Sequence, residues 1–291
     1  MSGSGPPFDV CVVGSSNLDL VVTVSRHPTP GETLLGTTYH EYPGGKGLNQ
    51  VVAATRAGAA CAFVSALGDD TAGDRLAAVV AAEGIDTTKV QRRAGVATGR
   101  ALITVDEHGE NSIVVVPGAN AALRPAPLPA ARVVLAQLEI PVEVVVDGFL
   151  QARAAGAVTI LNPAPAAVLS DELLDRCTIV IPNEHEAEHL GGARRLFDRG
   201  VEAVVTTRGS AGVEVETPTG HHLVEPFVVT PLDTTAAGDA FCGSFAVAIA
   251  EGADAFSAAR FAAAAGALAT TRVGAVPSLP HRGEIAALLA T

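Results

Sequence analysis

Short apolar, β-branched runs alternate with longer stretches of helical period along most of this chain. Val10–Val13 is expected as a buried strand. Leu20–Val24 alternates loosely, HPTPGET (His27–Thr33) is turn chemistry, and Thr33–Tyr42 has few helix formers, so residues 20–42 are expected as short strands and turns. PGGKGLNQ, Pro43–Gln50, opens a helix that runs to about Arg56 and stops at Gly58. Cys61–Leu67 is an apolar strand, followed after GDDTAG by a helix to about Glu83, and GIDTTKV is a loop and short strand. Strand-rich stretches return at Thr98–Val105 and Asn111–Val116, with EHGEN at the turn between them.

From about residue 130 the pattern becomes regular. Val133–Leu138, Val158–Leu161, Ile179–Ile181 and Ala203–Thr207 read as strands, and Glu214–Val229 as a hairpin. Helices are expected at Val142–Ala155, Leu169–Asp175, from Asp239 through the Ala-rich AFCGSFAVAIA, over Ala253–Ala269, and at Arg282–Leu289. Strands alternating with helices imply an α/β fold, a mostly parallel sheet with helices on both faces. The patches within 18–42 and 98–116 would form a small β-sheet outside it, a lid. With no internal repeat and no linker-like break, residues 1–291 are expected as a single domain.

Composition narrows the function. The 291 residues are 48% hydrophobic and 17% charged, enough for one large α/β core or two smaller ones. A net charge of −12 with no Lys/Arg-rich run argues against nucleic acid or an anionic membrane as partner. No apolar stretch approaches the roughly 18 residues of a membrane span. MSGSGPPFD lacks a basic region followed by an apolar run, so it is expected as a disordered tail rather than a secretion signal. Cys11, Cys61, Cys177 and Cys242 are isolated in apolar settings and read as reduced core residues of a cytoplasmic protein.

The candidate chemistry lies at strand ends, where open parallel sheets bind their ligands. Asn17, Glu139, Asn162, Asn183 and Glu186 all fall there. GSSNLDL lacks the glycines of a dinucleotide fingerprint, which argues against a dehydrogenase. Asn17 and Asp19, two apart, either share a strand face and grip vicinal hydroxyls or form an Asx turn. Gly44, Gly45 and Gly47 allow close backbone approach without the spacing of a Walker A loop, and Lys46 and Asn49 add polar groups that a structural turn does not need. Asp69 and Asp70 read as helix caps before metal ligands. Arg208–Gly212 is a small loop able to pass over a nucleotide. In DTTAAGDAFCGSF, Ala236, Ala237 and Gly238 form a tight turn and Asp239 lies in the first turn of a buried helix. Free N–H groups and a positive dipole end favour a phosphate there. Asp239 is then either the base for an attacking hydroxyl or a partner of the helix dipole.

The sequence resembles the ribokinases of the PfkB family of carbohydrate kinases, from about Asp9 onward. The glycine-rich GGKGLNQVVAATRAGA and DTTAAGDAFCGSF carry the family resemblance; GSSNLD, HPTPGET, PGANAAL, QLEIP, LNPAPA, PNEHEAE and GAVPSLP are similar to ribokinases in particular. The resemblance implies a ribokinase-like fold and ATP-dependent phosphorylation of D-ribose at O5, giving ribose 5-phosphate and ADP. Asn17, Asp19, Gly45, Lys46, Gly47, Asn49 and Glu139 would hold the sugar, with Asp239 as base and the N–H groups of Ala236, Ala237 and Gly238 as anion hole. Asn183 and Glu186 match an NxxE motif that places Mg²⁺ and phosphates. Thr207, Gly209, Ser210 and Gly212 match the nucleotide loop, and Ala263 stands where a polar residue often lies near the adenine. Asp233, Thr235, Ala269, Arg272, Gly274 and Ser278 match a K⁺ site formed mostly by backbone carbonyls. The lid implies a homodimer. Alternatives are the same chemistry on deoxyribose, fructose or a nucleoside such as adenosine, or a sugar-binding regulator without catalysis. The chain departs from the family after AEHLGG, where ARRLFDRG replaces a longer segment, and at Ala263; both departures bear on nucleotide binding.

Overall fold

The run FDVCVV has no polar alternation after its first residues because both of its faces are covered: it forms a central strand of the main sheet. The computed structural model describes residues 7–291, so the expected tail, residues 1–6, lies outside the described residues. In chain order the elements are β1 (Phe8–Val13), β2 (Asn17–Thr23), β3 (Thr38–Gly44), α1 (Lys46–Arg56), β4 (Cys61–Gly68), α2 (Thr71–Ala82), β5 (Asp86–Arg93), β6 (Gly99–Val105), β7 (Asn111–Val116), β8 (Ala131–Ala136), α3 (Val142–Ala154), β9 (Val158–Leu161), α4 (Asp171–Leu174), β10 (Ile179–Val180), α5 (Glu184–Leu190), α6 (Ala193–Phe197), β11 (Ala203–Thr207), β12 (Val213–Thr217), β13 (Gly220–Val224), α7 (Ala237–Ala250), α8 (Ala255–Ala269) and α9 (Arg282–Leu289).

The main sheet has nine strands in the order β13-β12-β11-β10-β9-β8-β1-β4-β5. β11 back to β5 run parallel, and the hairpin β12–β13 adds the antiparallel edge. Alternate side chains divide the core in two, as the period-2 geometry of strands requires. Val10, Val12, Val133 and Leu135 face α1, α2, α7, α8 and α9. Cys11, Val13, Val134 and Ala136 face α3, α4, α5 and α6. The second sheet, β3-β2-β6-β7, is the expected lid, with β2 and β6 parallel and both edges antiparallel. Every residue of β7 is exposed.

A few boundaries differ from the sequence pattern. β8 ends at Ala136, before Leu138, because the Leu138 N–H turns to the Ala164 carbonyl at 2.9 Å. α4 begins at Asp171 because Ser170 caps it, its side chain accepting from the Leu173 N–H. Only Asp70 of the Asp69–Asp70 pair caps α2, accepting from the Gly73 N–H at 2.8 Å, while Asp69 is exposed. The shortened ARRLFDRG segment still forms a helix, α6, which buries Leu196 against the sheet.

Candidate active site

Asn17 and Asp19 lie on β2, the strand that leaves the carboxyl end of β1 through Gly14–Ser16 and enters the lid. They share a face, which removes the Asx-turn alternative, and they pair across the strand with Gly44 and Tyr42. Asn120 Nδ2 donates to Asn17 Oδ1 at 2.8 Å and to the Ser16 carbonyl, while the Ser16 N–H donates to Asn120 Oδ1. That arrangement leaves the Asn17 amino group as the end free for a ligand.

The glycine-rich stretch crosses directly beneath. Gly45 caps α1 with φ 90°, and a Cβ there would meet the Ser16–Asn17 backbone at 2.7–3.1 Å. The Lys46 N–H donates to Glu139 Oε2 at 3.2 Å, and Ser15 Oγ donates to the same oxygen at 2.6 Å. The Gly47 N–H donates back to Ser15 Oγ at 3.3 Å. Glu139 therefore sits against the N-terminal end of α1, where the dipole favours a carboxylate.

The first turn of α7 faces α1. Ala236 holds φ 60°, the left-handed region, and is the only non-glycine residue with positive φ among the described residues. This costs roughly 1–2 kcal/mol, and strain of that kind clusters at functional sites. It aims the start of α7 at the mouth of the sheet. Of the expected anion-hole donors, the Ala237 N–H turns to the Thr234 carbonyl at 3.3 Å, and no backbone carbonyl pairs the N–H groups of Ala236 and Gly238. Asp239, 8% exposed, accepts from Asn49 Nδ2 on one oxygen and Gln50 Nε2 on the other, both at 2.9 Å.

Charge is concentrated here. Burial, with the Glu139 and Asp239 carboxylates behind it, pushes the Asp19 carboxyl up to about 7. Burial alone would lower the Lys46 ammonium, but Asp239, Glu139 and Glu186 outweigh it and hold it above its usual value. Lys46, Glu186, Asn183, Thr207, Ala236, Gly238 and Asp239 line one cavity of about 240 Å³. A larger cavity, of about 480 Å³, is built by α5, α6, β11 and β12 on the side away from Asp239.

Asn183 and Glu186 form a reciprocal capping box on α5: Glu186 Oε2 accepts from the Asn183 N–H and Asn183 Oδ1 from the Glu186 N–H. A bridge pairs Asn183 with Thr207, so the NxxE motif and the nucleotide loop start side by side. Gly209 and Ser210 continue as an exposed turn that ends at Gly212. Ala263 lies half-buried on α8, packed on the core and outside the cavity lining. Among the described residues no group of three or more His, Cys, Asp or Glu side chains forms a metal cage. A single buried carboxylate beside an amide suits Mg²⁺, which keeps several waters and the phosphates as ligands.

Of the expected K⁺ positions, Thr235 and Gly274 meet at Asp233. Its carboxylate accepts from the Thr235 N–H at 2.9 Å and the Gly274 N–H at 2.8 Å, and those contacts hold it below its usual range although burial opposes them. It therefore ties the segment before α7 to the loop after α8. Arg272 turns its guanidinium to Glu284, and Ser278 Oγ donates to the Ala275 carbonyl. The Ala269 carbonyl accepts only a long bond, from the Arg272 N–H at 3.4 Å. Ser15, Gln50, Asn120 and Gln137 join the site although sequence reasoning did not single them out. Their signal is a small polar or amide residue in a stretch otherwise apolar or glycine-rich, as in ARVVLAQ and PGANAAL.

Comparison with known proteins identifies the family. A model of the pfkB family of carbohydrate kinases matches residues 8–282. The chain is 41% identical over 292 residues to the ribokinase of Haemophilus influenzae, covering 94% of this chain and 95% of that one. It is 40% identical to the ribokinase of Bacillus subtilis over 97% of this chain and 99% of that one. The crystal structure of a Thermotoga maritima ribokinase superposes with a TM-score of 0.90 at 35% identity, covering 98% of this chain and 100% of that one. The structure of Arabidopsis thaliana ribokinase complexed with ribose and ATP superposes with a TM-score of 0.89 at 30% identity, covering 99% and 100%. With glycine-rich α1 and the Asp239 turn facing one another across the sheet's carboxyl edge, this chain belongs to the pfkB family of carbohydrate kinases, among the ribokinases.

Proposed function

We propose that this protein transfers the γ-phosphoryl group of ATP to O5 of D-ribose, giving D-ribose 5-phosphate and ADP. The observation that carries this is Asp239, anchored through both carboxylate oxygens at the mouth of a helix that offers unpaired N–H groups. Asn17, Asp19, Asn49 and Glu139 supply acceptors and donors for the ribose hydroxyls, and Gly45, Lys46 and Gly47 bring the α1 backbone against the sugar. O5 attacks the γ-phosphorus while Asp239 takes its proton, the bond to the ADP oxygen breaks, and the proton later leaves to solvent. A sugar hydroxyl gives up its proton only as the new bond forms, so base catalysis contributes ~10²–10⁴-fold and charge stabilisation the rest. The N–H groups at the start of α7 and the Lys46 ammonium take up charge on the transferring phosphoryl.

Asn183 and Glu186 would hold Mg²⁺ and the phosphates, and the ion bound there would supply charge neutralisation. Thr207, Gly209, Ser210 and Gly212 pass over the nucleotide, with α8 at Ala263 near the base. Asp233, Thr235, Ala269, Arg272, Gly274 and Ser278 would hold K⁺, mostly through backbone carbonyls. The two sheets act as one domain whose lid closes over the sugar, and the exposed β7 edge pairs two copies into a homodimer in the cytoplasm.

Coupled ADP release with Mg-ATP and D-ribose, with and without K⁺, tests the reading in wild type and Asp239→Asn. Ribose-dependent turnover that rises with K⁺ and collapses in the variant is the expected result. Turnover with another sugar only would replace the acceptor, and wild-type rates in Asp239→Asn would overturn the mechanism.

A further inference from the structure

Behind Asp239 runs a chain of buried side-chain amides. Gln50 and Gln137 are fully buried and Asn162 is 9% exposed. Gln50 Nε2 donates to Asp239 Oδ1 at 2.9 Å and to Asn162 Oδ1 at 3.1 Å. Asn162 Nδ2 donates to the Ile181 carbonyl at 3.0 Å, and Gln137 Nε2 donates to Gln50 Oε1 at 2.5 Å.

The direction of every amide follows from its ends. The Ile181 carbonyl can only accept, so Asn162 turns its amino group to it and its oxygen to Gln50. Gln50 then faces two acceptors, Asn162 Oδ1 and Asp239 Oδ1, and spends both amino hydrogens on them. Its own oxygen is left for Gln137, whose amino group completes the relay. Gln137 Oε1 is buried without a partner beneath Gly14, where a Cβ would strike it. A buried orphan of this kind costs stability, and the site retains it while keeping the Gln137 amino group on Gln50.

The carboxylate at the end of this relay shares its cavity with the Glu186 carboxylate and the Lys46 ammonium, and its field reaches Asp19. With two like charges nearby, a carboxylate held by one donor alone is free to rotate. Asn49 holds Oδ2 from α1, and Asn49 also faces the sugar; Gln50 is the donor that ligand binding leaves in place. We infer that Gln50, oriented by Gln137 and Asn162, is a positioning residue that fixes the plane of the Asp239 carboxylate toward the acceptor hydroxyl. Gln50 acts through Asp239 and not on the substrate. This inference rests on the proposed role of Asp239 as base.

Gln50→Met keeps the length and bulk of the side chain and removes both N–H donors. We expect kcat to fall about ten- to a hundredfold while the KM values for ribose and ATP stay within about twofold. A role in packing alone would move the melting temperature and leave kcat in place. Gln137→Met is expected to lower kcat by a smaller factor, about two- to fivefold, and the double variant to match Gln50→Met alone, because Gln137 acts only through Gln50. A folded Gln50→Met with kcat within about twofold of wild type overturns the inference, as does a double variant whose losses multiply. If Gln50→Met does not fold, wild-type kcat in Gln137→Met overturns it instead. A wild type that turns over only with another sugar discards ribose and leaves the test to run with that sugar. A wild type inactive with every sugar removes the functional reading and this inference together.

Discussion

Asn49 donates through Nδ2 to Asp239 Oδ2 at 2.9 Å, while its own Oδ1 is buried with no hydrogen-bond partner. One side chain thus touches the Asp239 carboxylate and offers an unused acceptor to whatever enters beside it. An orphaned buried acceptor is costly until a donor arrives, and a sugar hydroxyl is such a donor. Asn49→Ala is expected to weaken ribose binding about tenfold or more, with ATP binding unchanged. Calorimetric titration with each ligand separately checks this, and unaltered ribose affinity would remove Asn49 from the sugar site.

Asp19 predicts a pH dependence with a definite sign. Its carboxyl lies near 7 in the fold against 3.8 as a free side chain, so between those values the native chain holds a proton the unfolded chain has lost. The contribution is fully present below 3.8, declines as pH rises, and is gone above about 7. Asp19→Asn does not titrate. Its melting temperature should therefore gain on wild type as pH rises from about 4 to 7 and hold level beyond, by a few degrees (about 2–5 °C). Ribose affinity runs the other way: wild type should bind more weakly below about 7, as the acceptor carboxylate is protonated. A wild-type affinity flat across this range would contradict the role given to Asp19.

Asn120 orients Asn17 by donating to its Oδ1 at 2.8 Å. Asn120→Asp keeps the oxygen that accepts from the Ser16 N–H and loses the donor. Asn17 then faces a carboxylate and turns its amino group to it, away from the sugar. We expect the ribose KM to rise about tenfold with a smaller change in kcat. Steady-state kinetics with ribose varied at saturating ATP separates the two.

Asp233 ties two loops through the Thr235 and Gly274 N–H groups. If those loops hold K⁺, adding KCl in place of a larger organic cation salt should raise the melting temperature of wild type in a saturable way. Asp233→Ala should abolish that shift and also lower K⁺-stimulated turnover. A K⁺-dependent shift that survives in the variant would place the cation elsewhere.

The β7 edge exposes Ile113, Val114, Val115 and Val116 on a strand paired with β6 on one side only, with no charged residue along it. Exposed apolar edges of this kind are protected or paired. Light scattering should give twice the 29.3 kDa chain mass for wild type and the single mass for Val114→Lys. A monomeric wild type at micromolar concentration would count against pairing through the lid.

Much of this site was legible in the linear chain. Strands and helices from β8 onward followed from alternating apolar runs, and Asp239 followed from small residues abutting an acid at a helix start. Gln50 and Gln137 were not legible. An amide inside an apolar or glycine-rich run signals only that a partner exists, and their partners lie 189 and 87 residues away. Asp69 and Asp70 looked alike in sequence, yet only Asp70 turns to the Gly73 N–H.

What the sequence determined by itself was local: periodicity set the elements, small residues before Asp239 set the turn, and missing glycine spacings excluded a dinucleotide fold and a Walker loop. Those properties depend on neighbours within a few residues, so a linear pattern carries them. The long-range part came from folding: α1 and α7 meet, Asn17 and Asp19 share one face of β2, and three carboxylates gather around one lysine. Such convergence depends on sheet order and on which face each side chain takes, and the same local patterns are compatible with many orders. The shifted acidity of Asp19 belongs to this second class, because burial and the field of Glu139 and Asp239 exist only once the chain has folded.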